Sequence, residues 1–480
     1  MKRKSRNKFI SKLGITIVLL LITNFLLAQT GEKPKDNWQN LDLKTDSVFG
    51  ISMEKTYTEL LNGKKATSVI VAVIDGGVDV NHEDLKSVIW TNANEIPANG
   101  KDDDHNGFID DIHGWNFYST VVKEDEKAEV SATHNKLNIL KTDQKILNQI
   151  LQKINKSSPD LNDFKDYIPN SAGELKMQST MVYGLKSYPD FLNYKKINLK
   201  RGIDYYNMQL SYYENHDFDP MTGGPSTYHG THVTGIIAAD RINNIGIKGV
   251  ADHVKIMVLR TVSGLDPIRG GAEQTPGNQQ NNNDIDEKTK AVAHAIRYAA
   301  DNGAKIINMS FGQPWAKPSV AVSEAIKYAV SKDVLIVHAS GNEGQNLDQM
   351  IIYPDRSTPE GQAIAACWIE VGASGWKNDE KLAGEFSNYG KNSIDVYAPG
   401  VEITSTAPRS TYLDDTGTSM AAPVVSGMAA VIREYCPKLS AAQVKNLIMK
   451  SVIEVGSLKD KCISGGIVNA YKAFKLVRFD

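Results

Sequence analysis

Four side chains suited to acyl transfer stand in glycine-rich surroundings along this chain: Asp75 in VIDGG, His229 in HGTH, Asn342 in SGNEG and Ser419 in GTSMAAP. A serine hydroxyl becomes a nucleophile only when a base takes its proton, and that base needs a carboxylate to hold its tautomer. The tetrahedral adduct in turn needs a donor aimed at its oxyanion, which a primary amide provides. Taken singly, each residue has a plainer reading. An Asp after a strand is a turn residue, a Ser ahead of an apolar helix is an N-cap, and a His beside glycine is a solvated loop residue. Together they supply the four parts of one reaction, and only joint placement explains that.

The elements that must position them are legible as alternating types. Short β-branched runs, SVIVAVID (68–75), VKIMVLRTV (254–262), AKIINMSFG (304–312), DVLIVHASGN (333–342) and IEVGAS (369–374), read as strands buried on both faces. KTKAVAHAIRYAADNG and VAVSEAIKYAVSK between them carry apolar residues at three- and four-residue spacing, the helical period. The alternation predicts βαβ units, an α/β fold with a doubly wound, mostly parallel sheet. In such sheets sites form outside the C-terminal strand ends. Asp75 ends the first run and is followed by Gly76 and Gly77, which permit a sharp turn; Asn342 follows the fourth run. His229 and Ser419 open the helical segments HGTHVTGIIAAD and TGTSMAAPVVSGMAAVIREY.

Five segments in order, VIDGGVD, HGTHVTG, INMSFG, SGNEG and GTSMAAP, resemble the signatures of subtilisin-like serine proteases (peptidase S8). The resemblance covers about 46–115 and 225–475 and implies a subtilisin-like, three-layer fold and a secreted serine endopeptidase. It implies Ser419 as nucleophile, His229 as base, Asp75 as its orienting carboxylate and Asn342 as oxyanion donor, in the chain order known for subtilisin. The segment Asn308 to Gly312, with Ser310, Phe311 and Gly312, resembles the strand that pairs with the main chain of a polypeptide substrate. Ala339, Ser340 and Gly341 resemble the small-residue wall of the pocket for the side chain ahead of the cut, which leads to an expected preference for large apolar residues. Glu343 falls near that rim. His232, three residues after His229, is read as structural, since no HExxH and no third ligand accompany the pair. An acid-active sedolisin-type enzyme would carry Glu as base, which the intact HGTH segment opposes. A binding module with the same fold would not require all four groups.

The run KDDDHNGFIDDIHG places Asp102, Asp104 and Asn106 at alternate positions, then Gly107, Asp110 and Asp111. Oxygens at the first, third and fifth positions with glycine sixth match an EF-hand-type calcium loop, whereas His113 stands where that loop has a bidentate Glu. A solvated acidic turn is the competing reading. Calcium here would be structural, and no cofactor is expected for catalysis.

Bulk properties leave room for one large α/β domain: the chain has 480 residues, 41% hydrophobic and 23% charged. With 54 basic against 56 acidic residues and no basic cluster beyond the extreme N-terminus, nucleic acid is not an expected partner. That N-terminus holds Lys2, Arg3, Lys4, Arg6, Lys8 and Lys12 ahead of an apolar run from Gly14 to Ala28. The run is short of the roughly 20 residues that span a bilayer, so residues 1–28 are read as a cleaved export signal, leaving no stable membrane anchor. Removing six basic residues leaves 48 against 56, a net charge of −8. Export to a periplasm or beyond is expected; oligomeric state is not predicted. The peptidase domain is expected in two parts, 29–119 and 221–480, divided by a polar, partly helical insertion at 120–220. Residues 264–288, rich in Gly, Pro, Asn and Gln, are expected to form an exposed loop. Only 46 residues separate Ala28 from Asp75, which leaves little room for the folding propeptide common in such enzymes. Of three cysteines, Cys367 reads as a buried thiol, and Cys436 and Cys462 as a pair able to form a disulfide.

Overall fold

The computed structural model describes residues 34–117, 122–187, 191–215, 227–261, 282–312, 319–356 and 361–477. Its strands are β1 (Val69–Asp75), β2 (Gly114–Asn116), β3 (Val254–Arg260), β4 (Ile306–Met309), β5 (Leu335–Ala339), β6 (Trp368–Ser374), β7 (Val396–Pro399), β8 (Ile403–Ala407), β9 (Thr411–Asp415), β10 (Ile453–Glu454) and β11 (Gly466–Ile467). Successive side chains of a strand point to opposite faces, and here both faces are dry. In β1, Val71 and Val73 enter one apolar cluster while Ala72 and Ile74 enter another; in β3, Ile256 and Val258 part from Met257 and Leu259 in the same way. A sheet buried on both sides needs helices on both sides, hence three layers. The helices Thr227–Ala238 and Thr418–Tyr435 fill the first cluster, Asn282–Asp301 and Val320–Ser331 the second.

Nine strands make the main sheet, ordered β10-β11-β7-β6-β5-β4-β1-β3-β2, parallel except for the β10–β11 pair. The chain leaves β1 toward β3 on one side and later reaches β4 on the other, so a topological switch point falls between β1 and β4. The five runs read as strands from sequence are β1, β3, β4, β5 and β6. Strands β2, β10 and β11 are of two or three residues and carry too short a pattern to be read in advance.

The insertion is more helical than expected. Helices Val122–Ile154, Leu161–Asp166, Ala172–Ser187 and Phe191–Asn215 occupy almost all of its described length. They enclose a private core of Leu147, Ile150, Phe164, Met177, Met181, Leu185 and Leu199. A second cluster joins Leu137, Tyr206 and Leu210 of the insertion to Tyr228 and Ala407 of the peptidase part.

Two further expectations change. The helix Asn282–Asp301 begins inside the segment expected as loop, while residues 264–281 of that segment lie outside the described residues, as does the export signal. Cys436 and Cys462 are not joined by a disulfide. Cys462 is buried in the small cluster around Phe49 and Leu458, whereas Cys436 packs on the large first cluster, so their thiols belong to different neighbourhoods. Cys367 is buried, as expected. Among the described residues no helix is long and apolar enough to cross a membrane.

Candidate active site

Asp75 is the last residue of β1, and its carboxylate is 1% exposed. One oxygen accepts from the Gly76 N–H at 2.7 Å. Both oxygens lie 2.9 Å from Nδ1 of His229, a residue 154 positions later. Gly230 makes that approach possible: a Cβ there would stand 2.2 Å from the Gly77 carbonyl oxygen and 3.2 Å from Asp75 Cβ. With Nδ1–H committed to Asp75, Nε2 is the basic nitrogen. Burial alone pushes His229 toward the neutral form, but the Asp75 charge, its hydrogen bond and the more distant Asp415 outweigh that and raise the pKa above the ordinary 6.5.

Ser419 is the second residue of the helix Thr418–Tyr435, where a backbone N–H has no partner within the helix and the dipole favours negative charge. Its hydroxyl donates to the Ser310 carbonyl at 2.9 Å. That bond commits the hydroxyl proton to the Ser310 carbonyl, and catalytic hydrogen bonds commonly tighten only once substrate binds. The helix start is pinned from below: Ser426 donates to Asn308, Asn308 to the Ser310 hydroxyl, and that hydroxyl to the Ser419 carbonyl, at 2.8, 3.0 and 3.0 Å. Asn342 lies across the helix start. Its Oδ1 accepts from the Thr418 N–H at 2.9 Å and the Thr418 hydroxyl at 3.1 Å, which leaves the amide NH2 as the outward donor. Thus the Asp75–His229 pair stands at the end of β1, and Ser419 and Asn342 stand at the ends of its neighbours β4 and β5, beside the switch point.

Ser310, Phe311 and Gly312 continue β4 and Ala339, Ser340 and Gly341 complete β5, so the two expected substrate-binding segments leave adjacent parallel strands. Glu343 Oε2 accepts from Asn388 Nδ2 at 2.6 Å. His232 is buried, and its Nε2 meets the Leu413 carbonyl at 3.0 Å; burial lowers its pKa.

Sequence reading missed a second buried pair, His338 of β5 with Glu370 of β6. Nδ1 of His338 donates to Glu370 at 2.8 Å and Nε2 donates to the Phe311 carbonyl at 2.7 Å. The Trp368 indole holds the other Glu370 oxygen at 2.8 Å. The available signal was a lone polar residue at a core position in each of two neighbouring apolar runs.

The acidic loop also departs from the expected ligand set. Oxygens of Glu95, Asp104 and Asp111 lie within 4.8 Å of one another. Asp102 instead accepts from the Asn106 and Gly107 N–H groups, and Asp110 from those of Asn99 and Gly100, so both shape the turn. Asn106 donates to Asp104 and Asp111. Glu95, outside the run read from sequence, joins the cluster and also accepts from the backbone N–H groups of Asp103, Asp104 and Asp110. Three hard oxygen groups, two of them buried, fit a calcium ion by ligand chemistry.

Comparison with known proteins agrees with this architecture. A protease from Pseudoalteromonas arctica superposes with TM-score 0.51 at 20% identity, covering 92% of this chain and 98% of its own. Subtilisin BL of Lederbergia lenta is 36% identical over 257 residues, 53% of this chain and 81% of the relative. The alkaline protease of Alkalihalobacillus alcalophilus is 34% identical over 257 residues, 53% of this chain and 57% of the relative. The subtilase family, peptidase S8, matches residues 66–467, and the chain belongs to this family of serine proteases.

Proposed function

We propose that the chain is an exported serine endopeptidase that hydrolyses polypeptides through an acyl-enzyme on Ser419. The observation that carries this reading is the buried two-oxygen contact of Asp75 with His229 Nδ1, which commits the ring to one tautomer. In the first half-reaction Ser419 Oγ attacks the peptide carbonyl carbon while Nε2 of His229 takes the hydroxyl proton. Asp75 stabilises the resulting imidazolium. The oxyanion is held by Asn342 Nδ2 and the Ser419 N–H. Collapse breaks the C–N bond, and the imidazolium gives its proton to the departing amine. A water then repeats the sequence on the ester, its proton passing through His229 to Ser419 as the acid leaves.

The substrate backbone lies along Ser310–Gly312 as an added strand, with Ala339–Gly341 opposite. The insertion borders the approach, because its Leu137, Tyr206 and Leu210 rest on Tyr228, the neighbour of the base. A calcium ion held by Glu95, Asp104 and Asp111 would neutralise like charges and rigidify the loop leading into β2; a fall in unfolding temperature on chelation checks this. N-terminal sequencing of exported protein beginning near Gln29 checks the signal. No nucleic-acid partner and no membrane anchor after cleavage are part of the reading.

Covalent labelling with a fluorophosphonate tests the chemistry. Folded protein should label at Ser419 and the Ser419→Ala variant should not; absence of labelling on folded wild type overturns the proposal.

A further inference from the structure

On the reading above, the side chain ahead of the cut enters between two backbone segments, Ser310–Gly312 and Ala339–Gly341. Each ends in glycine, and one side chain meets both glycines. A Cβ on Gly312 would stand 2.5 Å from Ile352 Cγ2, and a Cβ on Gly341 2.7 Å from Ile352 Cδ1. Gly341 has φ +94°, a backbone that excludes L side chains in any case. Ile352 is 5% exposed, and the His338 ring stands 3.6 Å from the Gly312 Cβ position. His338 is in turn fixed to the Phe311 carbonyl, so the ring next to Ile352 cannot swing away without releasing that wall.

We propose that Ile352 floors the pocket, so that the enzyme cleaves after small side chains, alanine foremost, and disfavours phenylalanine, tyrosine and leucine. The inference rests on the hydrolase reading and names its substrate class. It replaces the expectation of large apolar residues, which followed from the small size of the wall residues alone. Ile352 takes up room beside both glycines, shared at Gly341 with Asn388 and Glu343, so the space between the walls is already used. Because closely packed apolar atoms leave few voids larger than a water molecule, an aromatic ring would have to displace the isoleucine.

The experiment compares succinyl-Ala-Ala-Pro-Xaa p-nitroanilides, with Ala, Leu or Phe as Xaa, on the full chain, each rate divided by the sites that a small fluorophosphonate labels. Wild type is expected to favour Ala over Phe in kcat/KM by at least about tenfold, since the fit of one methylene in an apolar pocket is worth about 10–200-fold. Ile352→Gly should move the Phe/Ala ratio upward by at least about tenfold, and Ile352→Ala should move it part of the way while disturbing the loop less. A wild type that prefers Phe or Leu overturns the inference, as does a ratio unchanged in both variants. Labelling separates the two readings: labelled protein with the wrong preference overturns only the pocket floor, whereas unlabelled folded protein overturns the hydrolase and the floor together.

Discussion

Among the described residues two buried histidine–carboxylate pairs, His229 with Asp75 and His338 with Glu370, invite comparison because the second ring nitrogen is placed differently in each. In each, Nδ1 sits against a carboxylate, at 2.9 and 2.8 Å. In each, burial pushes the pKa down and the carboxylate more than restores it. The difference is at the second nitrogen. Nε2 of His338 faces the Phe311 carbonyl, so both nitrogens meet acceptors and the ring is locked as an imidazolium. Among the described residues no carbonyl is bonded to Nε2 of His229, and its lone pair stays free for the role in proton transfer proposed above. A buried carboxylate makes a histidine basic; the partner of the other nitrogen decides whether that basicity is spent on structure or kept for chemistry.

The sharpest way to break the comparison is to remove each ring. His229→Ala should lower turnover about a million-fold, the size found when a triad serine or histidine is removed from subtilisin, with little change in stability. His338→Gln should do the reverse, and equal losses of turnover per folded molecule in the two variants would erase the distinction. Glu370→Gln should cost about 3–5 kcal/mol of stability, the usual result of stranding one member of a buried ion pair, measured by denaturant unfolding. The linkage has a definite sign. Because the folded pKa of His338 lies above 6.5, its stabilisation is complete below that pH and is lost as pH rises through the folded value. Unfolding of the Ser419→Ala protein should therefore show a decline in that direction, and Glu370→Gln should flatten it. Asn342→Leu should reduce kcat by roughly a hundred- to a thousand-fold, as the matching donor does in subtilisin, leaving His338 untouched. The smallest effect is a displacement of the pH profile. The acid limb of kcat/KM should have its midpoint above 6.5, and Asp75→Asn should carry it lower, since the charge that raises His229 is gone. An acid limb at or below 6.5 in the wild type would put the base elsewhere.

Much of this was legible in the sequence. The strands were readable because a strand buried on both faces is apolar at nearly every position, and their C-terminal ends pointed to Asp75 and Asn342. The family was readable because glycine-rich wording of fixed order runs through the chain, and the same wording marks the candidate residues. His338 and Glu370 were not, since their meeting depends on β5 pairing with β6, a long-range fact with no local pattern. Glu95 was missed for a similar reason: it reaches the acidic loop from outside by accepting the N–H groups of Asp103, Asp104 and Asp110. Ile352 carried no signal in the sequence, because its place between Gly312 and Gly341 depends on segments far along the chain. The insertion read as weakly helical because Lys, Asn and Tyr interrupt its apolar stripe, yet its helices bury a core of their own.

That private core bears on how the chain assembles. Asp75 and His229 must meet across 154 positions, and closing a flexible loop costs about 0.6 kcal/mol more for each doubling of its length. A stretch that folds on itself is no longer flexible: once Leu147, Ile150, Phe164 and Met181 have come together, the unstructured chain between the acid and the base is only a fraction of its written length. The excursion can thus be ordered early and locally, and the catalytic pair can close across what is left.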